Sequence, residues 1–278
     1  MLPFETLTEQ RVFSGTQGFY RHESAACAGP MRFGVFVPPQ ASHAPVPVVY
    51  FLAGLSCSEE TFAIKAGAQR VCAELGLMLV TPDTSPRSAR FPTDSEHWDF
   101  GQGAGFYLDA TEAPWSAAYR MERYVVHELP ALIEANFPAR TDKRGVFGHS
   151  MGGHGALTLA FRNPGRYTSV SAIAPIVAPS QVPWGQKAFR GYLGEDTTQW
   201  AEHDACALVG RGGVPLHIRI DQGLSDKFLE RELRPELFED ACRRVGQSLE
   251  VVRHAGYDHS YYFVQTVVTE HLRHHAGP

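Results

Sequence analysis

The stretch Arg144-Gly145-Val146-Phe147-Gly148-His149-Ser150-Met151-Gly152 decides the fold. Its first four residues form a short strand-like run that ends in the apolar Val146-Phe147, and the residues after it, Gly153-His154-Gly155-Ala156 and onward, read as a helix. Between them lies Gly-x-Ser-x-Gly. Gly148 and Gly152 lack Cβ atoms, so the chain can turn sharply there and hold Ser150 in a strained conformation with its Oγ presented above a sheet. The N-terminus of the following helix brings N–H donors and positive potential to the place where an oxyanion would form.

Outward from this turn the chain alternates strand-like and helical segments. Strand-like runs occupy residues 32–37, 46–52, 77–81, 144–147, 167–173, 216–220 and 249–252, most of them continuously apolar or β-branched, which is the texture of a sheet buried on both faces. Helical spacing is found at 61–75, 119–137, 152–162, 227–245 and 261–271, with Pro130 expected to kink the second of these. The alternation predicts an α/β fold with a mostly parallel, doubly wound sheet flanked by helices, and with the elbow it predicts the α/β-hydrolase version of that fold. The 278 residues suit one such domain, and no linker long enough to divide them is present. Residues 82–118 and 174–214 are too long for simple crossovers and are rich in aromatic residues, so they are expected to be excursions that wall a substrate pocket.

Composition excludes several classes of function. A formal charge of -5 leaves no basic excess for phosphates or anionic lipid, and no apolar run approaches the roughly 20 residues that span a bilayer. Residues 1–10 carry two glutamates and no apolar signal region. Five cysteines, an odd number without a Cys-x-x-Cys pair, do not form a secreted disulfide framework or a zinc site. These features predict a cytoplasmic protein with no nucleic-acid or membrane partner. His271, His274 and His275 lie at the extreme C-terminus, where side chains usually face water, and no metal site is expected.

A serine hydroxyl needs a base, and the base needs an acid to orient it. In this fold they follow the serine in the order Asp or Glu, then His. His259 fits the base best because Gly256-Tyr257-Asp258-His259-Ser260 is the loop that opens the last helix, and His254 is the alternative. The acid is Asp226 or Asp221, both in the loop after the run 216–220. Asp226 is preferred because the preceding Gly223 lets its carboxylate reach back over the sheet, although it is also placed to cap the next helix. The backbone N–H groups of Met151 and Leu55 are the expected oxyanion donors, Leu55 lying just beyond the Gly54 turn. Cys57, two residues further on, is a rival nucleophile without an elbow.

Five segments together carry a resemblance: Leu52-Ala53-Gly54-Leu55-Ser56-Cys57, Pro82-Asp83-Thr84-Ser85-Pro86-Arg87, Trp98-Asp99-Phe100-Gly101 with Gly105-Phe106-Tyr107, the elbow through His154, and Tyr257-Asp258-His259-Ser260-Tyr261-Tyr262. In combination, over nearly the whole chain, they resemble the S-formylglutathione hydrolase (esterase D) family. The resemblance implies a cytoplasmic serine hydrolase without cofactor that cleaves the thioester S-formylglutathione to glutathione and formate, which closes glutathione-dependent formaldehyde detoxification. It implies Ser150 as nucleophile, Asp226 as orienting acid, His259 as base, Leu55 and Met151 as oxyanion donors, and Cys57 as a thiol beside the site that is sensitive to thiol reagents. A formyl group calls for a narrow acyl pocket with a bulky wall, for which Trp98 and Trp184 are the candidates. The expected partner is a small thioester, and a homodimer is the assembly allowed for. The competing readings are a general short-chain carboxylesterase or acyltransferase, and a non-catalytic binding protein on the same fold. Retention of both the serine and the histidine disfavours the last.

Overall fold

Two strands at the N-terminus, β1 (Glu5–Val12) and β2 (Gly15–Ser24), stand outside the sequence reading. β1 pairs only with β2 and is largely exposed, so its sequence Glu-Thr-Leu-Thr-Glu-Gln-Arg-Val carries no apolar run to announce it. The computed structural model describes residues 3–88, 91 and 95–277; of the expected excursion 82–118, residues 89, 90 and 92–94 lie outside the described residues. The chain continues through β3 (Gly29–Val37), β4 (Val46–Leu52), α1 (Glu59–Lys65), α2 (Ala68–Leu75), β5 (Met78–Pro82), α3 (Met121–Arg123), α4 (Leu129–Asn136), β6 (Ala139–His149), α5 (Met151–Arg162) and β7 (Ser169–Ile173). It ends with α6 (Pro183–Leu193), α7 (Thr197–Trp200), α8 (Ala205–Arg211), β8 (Ile218–Gly223), α9 (Pro235–Val245), β9 (Leu249–His254) and α10 (Tyr261–Ala276).

The described strands form a nine-stranded sheet in the order β1-β2-β3-β5-β4-β6-β7-β8-β9. From β5 to β9 every pairing is parallel, and β1, β2 and β3 add an antiparallel edge. This is the α/β architecture the alternating pattern predicts. The register places Leu52 opposite Gly148, His149 opposite Ile173, and Ile173 opposite Asp221. The carboxyl ends of β4, β6, β7 and β8 therefore lie level, and the loops that leave them share one edge of the sheet, which is where open α/β sheets bind ligands.

Several helices differ from their sequence outlines for local reasons. The segment 61–75 is split at Gly67, whose φ of 66° ends one helix and starts the next, and α1 starts earlier because Ser58 and Thr61 form a reciprocal cap. Pro130 stands inside a run that is helical without a break from residue 121 to 136, directly after a π turn at Tyr124–Glu128 in which the Leu129 N–H reaches back to Tyr124 O. The segment 227–245 breaks at Arg234, which has φ 53°, and Pro235 opens α9. The stretch 174–214, read from sequence as an excursion too long for a simple crossover, carries α6, α7 and α8.

The C-terminal histidines are also corrected. His271 is fully buried, and His275 bonds Ser169 Oγ at 2.6 Å and Ser171 Oγ at 2.9 Å. α10 runs on to residue 276 and packs against β6, β7 and β8, which takes these rings out of water despite their terminal position. No helix among the described residues is long and apolar enough to cross a membrane.

Candidate active site

Ser150 sits between β6 and α5 with φ 60° and ψ −118°, a conformation costly for a residue with a side chain. The flanking glycines make it affordable through space rather than through their own dihedrals. A Cβ on Gly148 would lie 2.2 Å from the Gly152 carbonyl oxygen, and one on Gly152 would lie 1.8 Å from the Leu52 carbonyl oxygen. The turn is pinned by the Ser150 N–H donating to Ile173 O at 3.0 Å and by the His154 N–H donating to Ser150 O at 3.0 Å. Ser150 itself is almost buried, at 4% exposure, and lines a cavity of about 210 Å³ together with His259.

His259 Nδ1 lies 2.5 Å from Asp226 Oδ2, and the other carboxylate oxygen accepts the Phe228 N–H at 2.8 Å. One carboxylate thus meets both groups, with one oxygen on the imidazole and one on the backbone of the segment that follows. The sequence alternatives form a second pair elsewhere: His254 Nε2 lies 2.7 Å from Asp221 Oδ1. Burial alone would raise the Asp221 carboxyl, but His271, the two bonds donated by Arg219, and His254 outweigh it and hold the group at about 2. Neither Asp221 nor His254 lines the Ser150 cavity.

The loop after β4 supplies Leu55, which lines the cavity and whose N–H has no hydrogen-bond acceptor among the described residues. Met151, as the first residue of α5, has no intrahelical acceptor for its N–H. Gly54 allows the close approach, since a Cβ there would meet Ser150 Cβ at 3.2 Å. What the sequence reading did not foresee is how this loop is held. Tyr107 donates to Ala53 O at 2.9 Å, Ser56 N–H to Gly103 O at 2.9 Å, and Cys57 O accepts from Thr84 Oγ1 at 2.6 Å and from Arg87 at 2.8 Å. Arg87 is itself clamped by both oxygens of Asp83, at 2.7 and 2.8 Å. The Pro82–Arg87 and Gly101–Tyr107 segments thus brace the loop rather than touch the cavity.

Aromatic residues close the cavity. Trp98 and Trp184 both line it and meet edge to face at 5.4 Å, and Phe228, absent from the sequence reading, bridges Trp184 at 4.7 Å and His259 at 5.1 Å. His149, the second elbow residue, lies with its ring 4.5 Å from that of His259. Burial, and then the charge of His259 beside it, push the His149 ring well below its ordinary pKa. A neutral ring there adds no positive charge to oppose protonation of His259.

Cys57 is partly buried on the same wall, 4.0 Å from the Tyr261 hydroxyl, and burial raises its thiol above the ordinary value. A thiol kept protonated is a poor nucleophile. Cys57→Ala is therefore expected to keep most of the activity and to lose most of the inhibition by bulky thiol reagents. An inactive but normally folded Cys57→Ala protein would point to a catalytic thiol instead.

Comparison with known proteins agrees with this geometry. The model of the Esterase family, described as "Putative esterase", matches residues 24–274. The chain is 50% identical over 275 residues to the S-formylglutathione hydrolase of Paracoccus denitrificans (strain Pd 1222), covering 99% of this chain and 98% of that one. The solved S-formylglutathione hydrolase from Agrobacterium tumefaciens superposes with a TM-score of 0.95 at 48% identity, covering 98% of each chain. An S-formylglutathione hydrolase from Staphylococcus aureus shares the fold at 16% identity and a TM-score of 0.72, over 93% of this chain and 98% of that one. A strained serine in a Gly-x-Ser-x-Gly turn, an Asp–His pair beside it, and this likeness over the whole length place the chain in the esterase family and, within it, among the S-formylglutathione hydrolases.

Proposed function

We infer that the chain hydrolyses S-formylglutathione to glutathione and formate, the step that disposes of formaldehyde captured by glutathione. The observation that carries the reading to the level of mechanism is the small cavity shared by Ser150 and His259, with Asp226 on the far side of the imidazole. In this mechanism Ser150 Oγ attacks the formyl carbonyl while His259 Nε2 takes its proton, and the N–H groups of Leu55 and Met151 receive the oxygen as it becomes negative. The C–S bond then breaks and the glutathione sulfur leaves, taking the proton from His259. Water enters, gives a proton to His259 and attacks the formyl ester, and as the bond to Ser150 Oγ breaks His259 passes that proton to the serine oxygen, which releases formate and restores Ser150. Asp226 keeps the proton of the neutral imidazole on Nδ1, so that Nε2 is the base, and stabilises the imidazolium. We place the enzyme in the cytoplasm, with a homodimer as the assembly to be tested by light scattering.

Trp98 and Trp184 narrow the cavity around the acyl group in this reading. Each methylene that such a pocket cannot admit is expected to lower kcat/KM by a factor of about 10 to 200. The expected order is S-formylglutathione, then S-acetylglutathione, then an aryl butyrate, measured at one pH with active sites counted by titration of the serine. An equal or reversed order would make the protein a general short-chain esterase and would leave the roles of Ser150, Asp226 and His259 standing.

A further inference from the structure

The cavity at Ser150 is smaller than its substrate. At about 210 Å³ it falls below the roughly 300 to 1,000 Å³ of pockets that enclose a whole ligand, so it takes the formyl thioester and leaves most of the tripeptide outside. Two larger cavities of about 470 Å³ each adjoin it. One shares Trp98, Trp184 and Phe228 with the Ser150 cavity, and the other shares Phe228, His259 and Ser260. A glutathione thioester joined through its central cysteine extends one arm to either side of the sulfur, and each arm ends in a carboxylate.

Lys227 lines both outer cavities. The other cations of the first are already paired, Lys187 with Asp99 at 2.5 Å and Arg231 with Glu232 at 3.5 Å. Lys227 has no carboxylate partner among the described residues, and its ammonium rests 4.9 Å from the centre of the Phe228 ring, which holds it in place without neutralising it. Two acids close to it are engaged elsewhere: Asp226, its neighbour in sequence, with His259 and the Phe228 N–H, and Asp258, which shares the second outer cavity, with the Ser260 N–H and hydroxyl. An uncompensated cation at the junction of two cavities, beside a site that releases a doubly carboxylated thiol, has one evident counterpart. We propose that Lys227 anchors a carboxylate of the glutathione moiety, so that the outer cavities form the subsite of the leaving thiol. The proposal rests on the substrate reading above.

The test compares kcat/KM for S-formylglutathione with that for S-ethyl thioformate, which carries the same acyl group on a neutral thiol. Their ratio reports on the tail alone. For an exposed ion pair the expected effect is modest: Lys227→Gln lowers the ratio about 2- to 5-fold, Lys227→Glu lowers it further, and Lys227→Arg restores it. The difference between wild type and Lys227→Gln should shrink as salt rises well above about 0.1 M, where screening shortens to about 10 Å or less. If both substrates fall in step, Lys227 acts through its neighbour Asp226 and the anchor is overturned. A high wild-type ratio that Lys227→Gln leaves intact also overturns it. A wild-type ratio near one instead overturns the substrate reading itself, and the anchor with it.

Discussion

Ser150→Ala is expected to abolish turnover while leaving the fold in place. The change deletes one oxygen and keeps the backbone bonds from the Ser150 N–H to Ile173 O and from the His154 N–H to Ser150 O, both 3.0 Å, that pin the elbow. If Ser150 is the nucleophile, its loss should lower kcat by about 10⁶, the size of loss seen when the serine of a comparable protease triad is removed. A phosphonate probe for active serines should label the wild type alone, and the melting temperatures of the two proteins should agree closely. Turnover surviving in a clean Ser150→Ala preparation, or label on another residue, would remove the elbow from the mechanism.

The next largest effect separates two aspartates that differ by five positions. Asp226→Asn replaces the oxygen 2.5 Å from His259 Nδ1 with a group that can turn an N–H toward it, which favours the tautomer with the proton on Nε2. By analogy with the corresponding change in serine proteases, kcat should fall about 10⁴-fold. Asp221→Asn should leave kcat within a small factor and damage the fold instead, because Arg219, His254 and His271 all converge on that fully buried carboxylate. Since Asp221 is held at about 2 in the fold and titrates near 4 when unfolded, its contribution is full above about pH 4 and is lost as the pH falls from there through about 2. Asp221→Asn should therefore flatten the dependence of stability on pH in that window. Denaturant titrations between pH 2 and 6 measure this, and the opposite ranking of the two variants in kcat would make Asp221 the orienting acid.

Much of the fold could be read along the chain because parallel strands buried on both faces are continuously apolar, as in Val46–Leu52 with six of its seven residues buried. β1 escaped because an exposed edge strand needs no such run. The bracing of the oxyanion loop by Tyr107, Thr84 and Arg87 was equally hidden, since it joins residues 27 to 54 positions apart that no local period connects.

The sequence by itself determined the parallel sheet and the serine, for both rest on local causes: apolar runs that must be covered, and a turn that only glycines at 148 and 152 allow. It favoured Asp226 and His259 as acid and base without excluding the other pair. Asp221 and His254 are 33 residues apart, Asp226 and His259 are also 33 apart, and both sets form hydrogen-bonded pairs. Tertiary structure alone decided which pair meets the serine. The two loops are laced together by Leu224 N–H to His254 O and Ser225 N–H to Tyr257 O, both 2.9 Å, and Gly223 lies so close to Tyr257 O that a Cβ would approach it to 2.5 Å. That contact leaves the first pair at the ends of paired strands, with Asp221 turned into the network under α10, and brings the second out beyond the sheet edge, where His259 shares the cavity of Ser150.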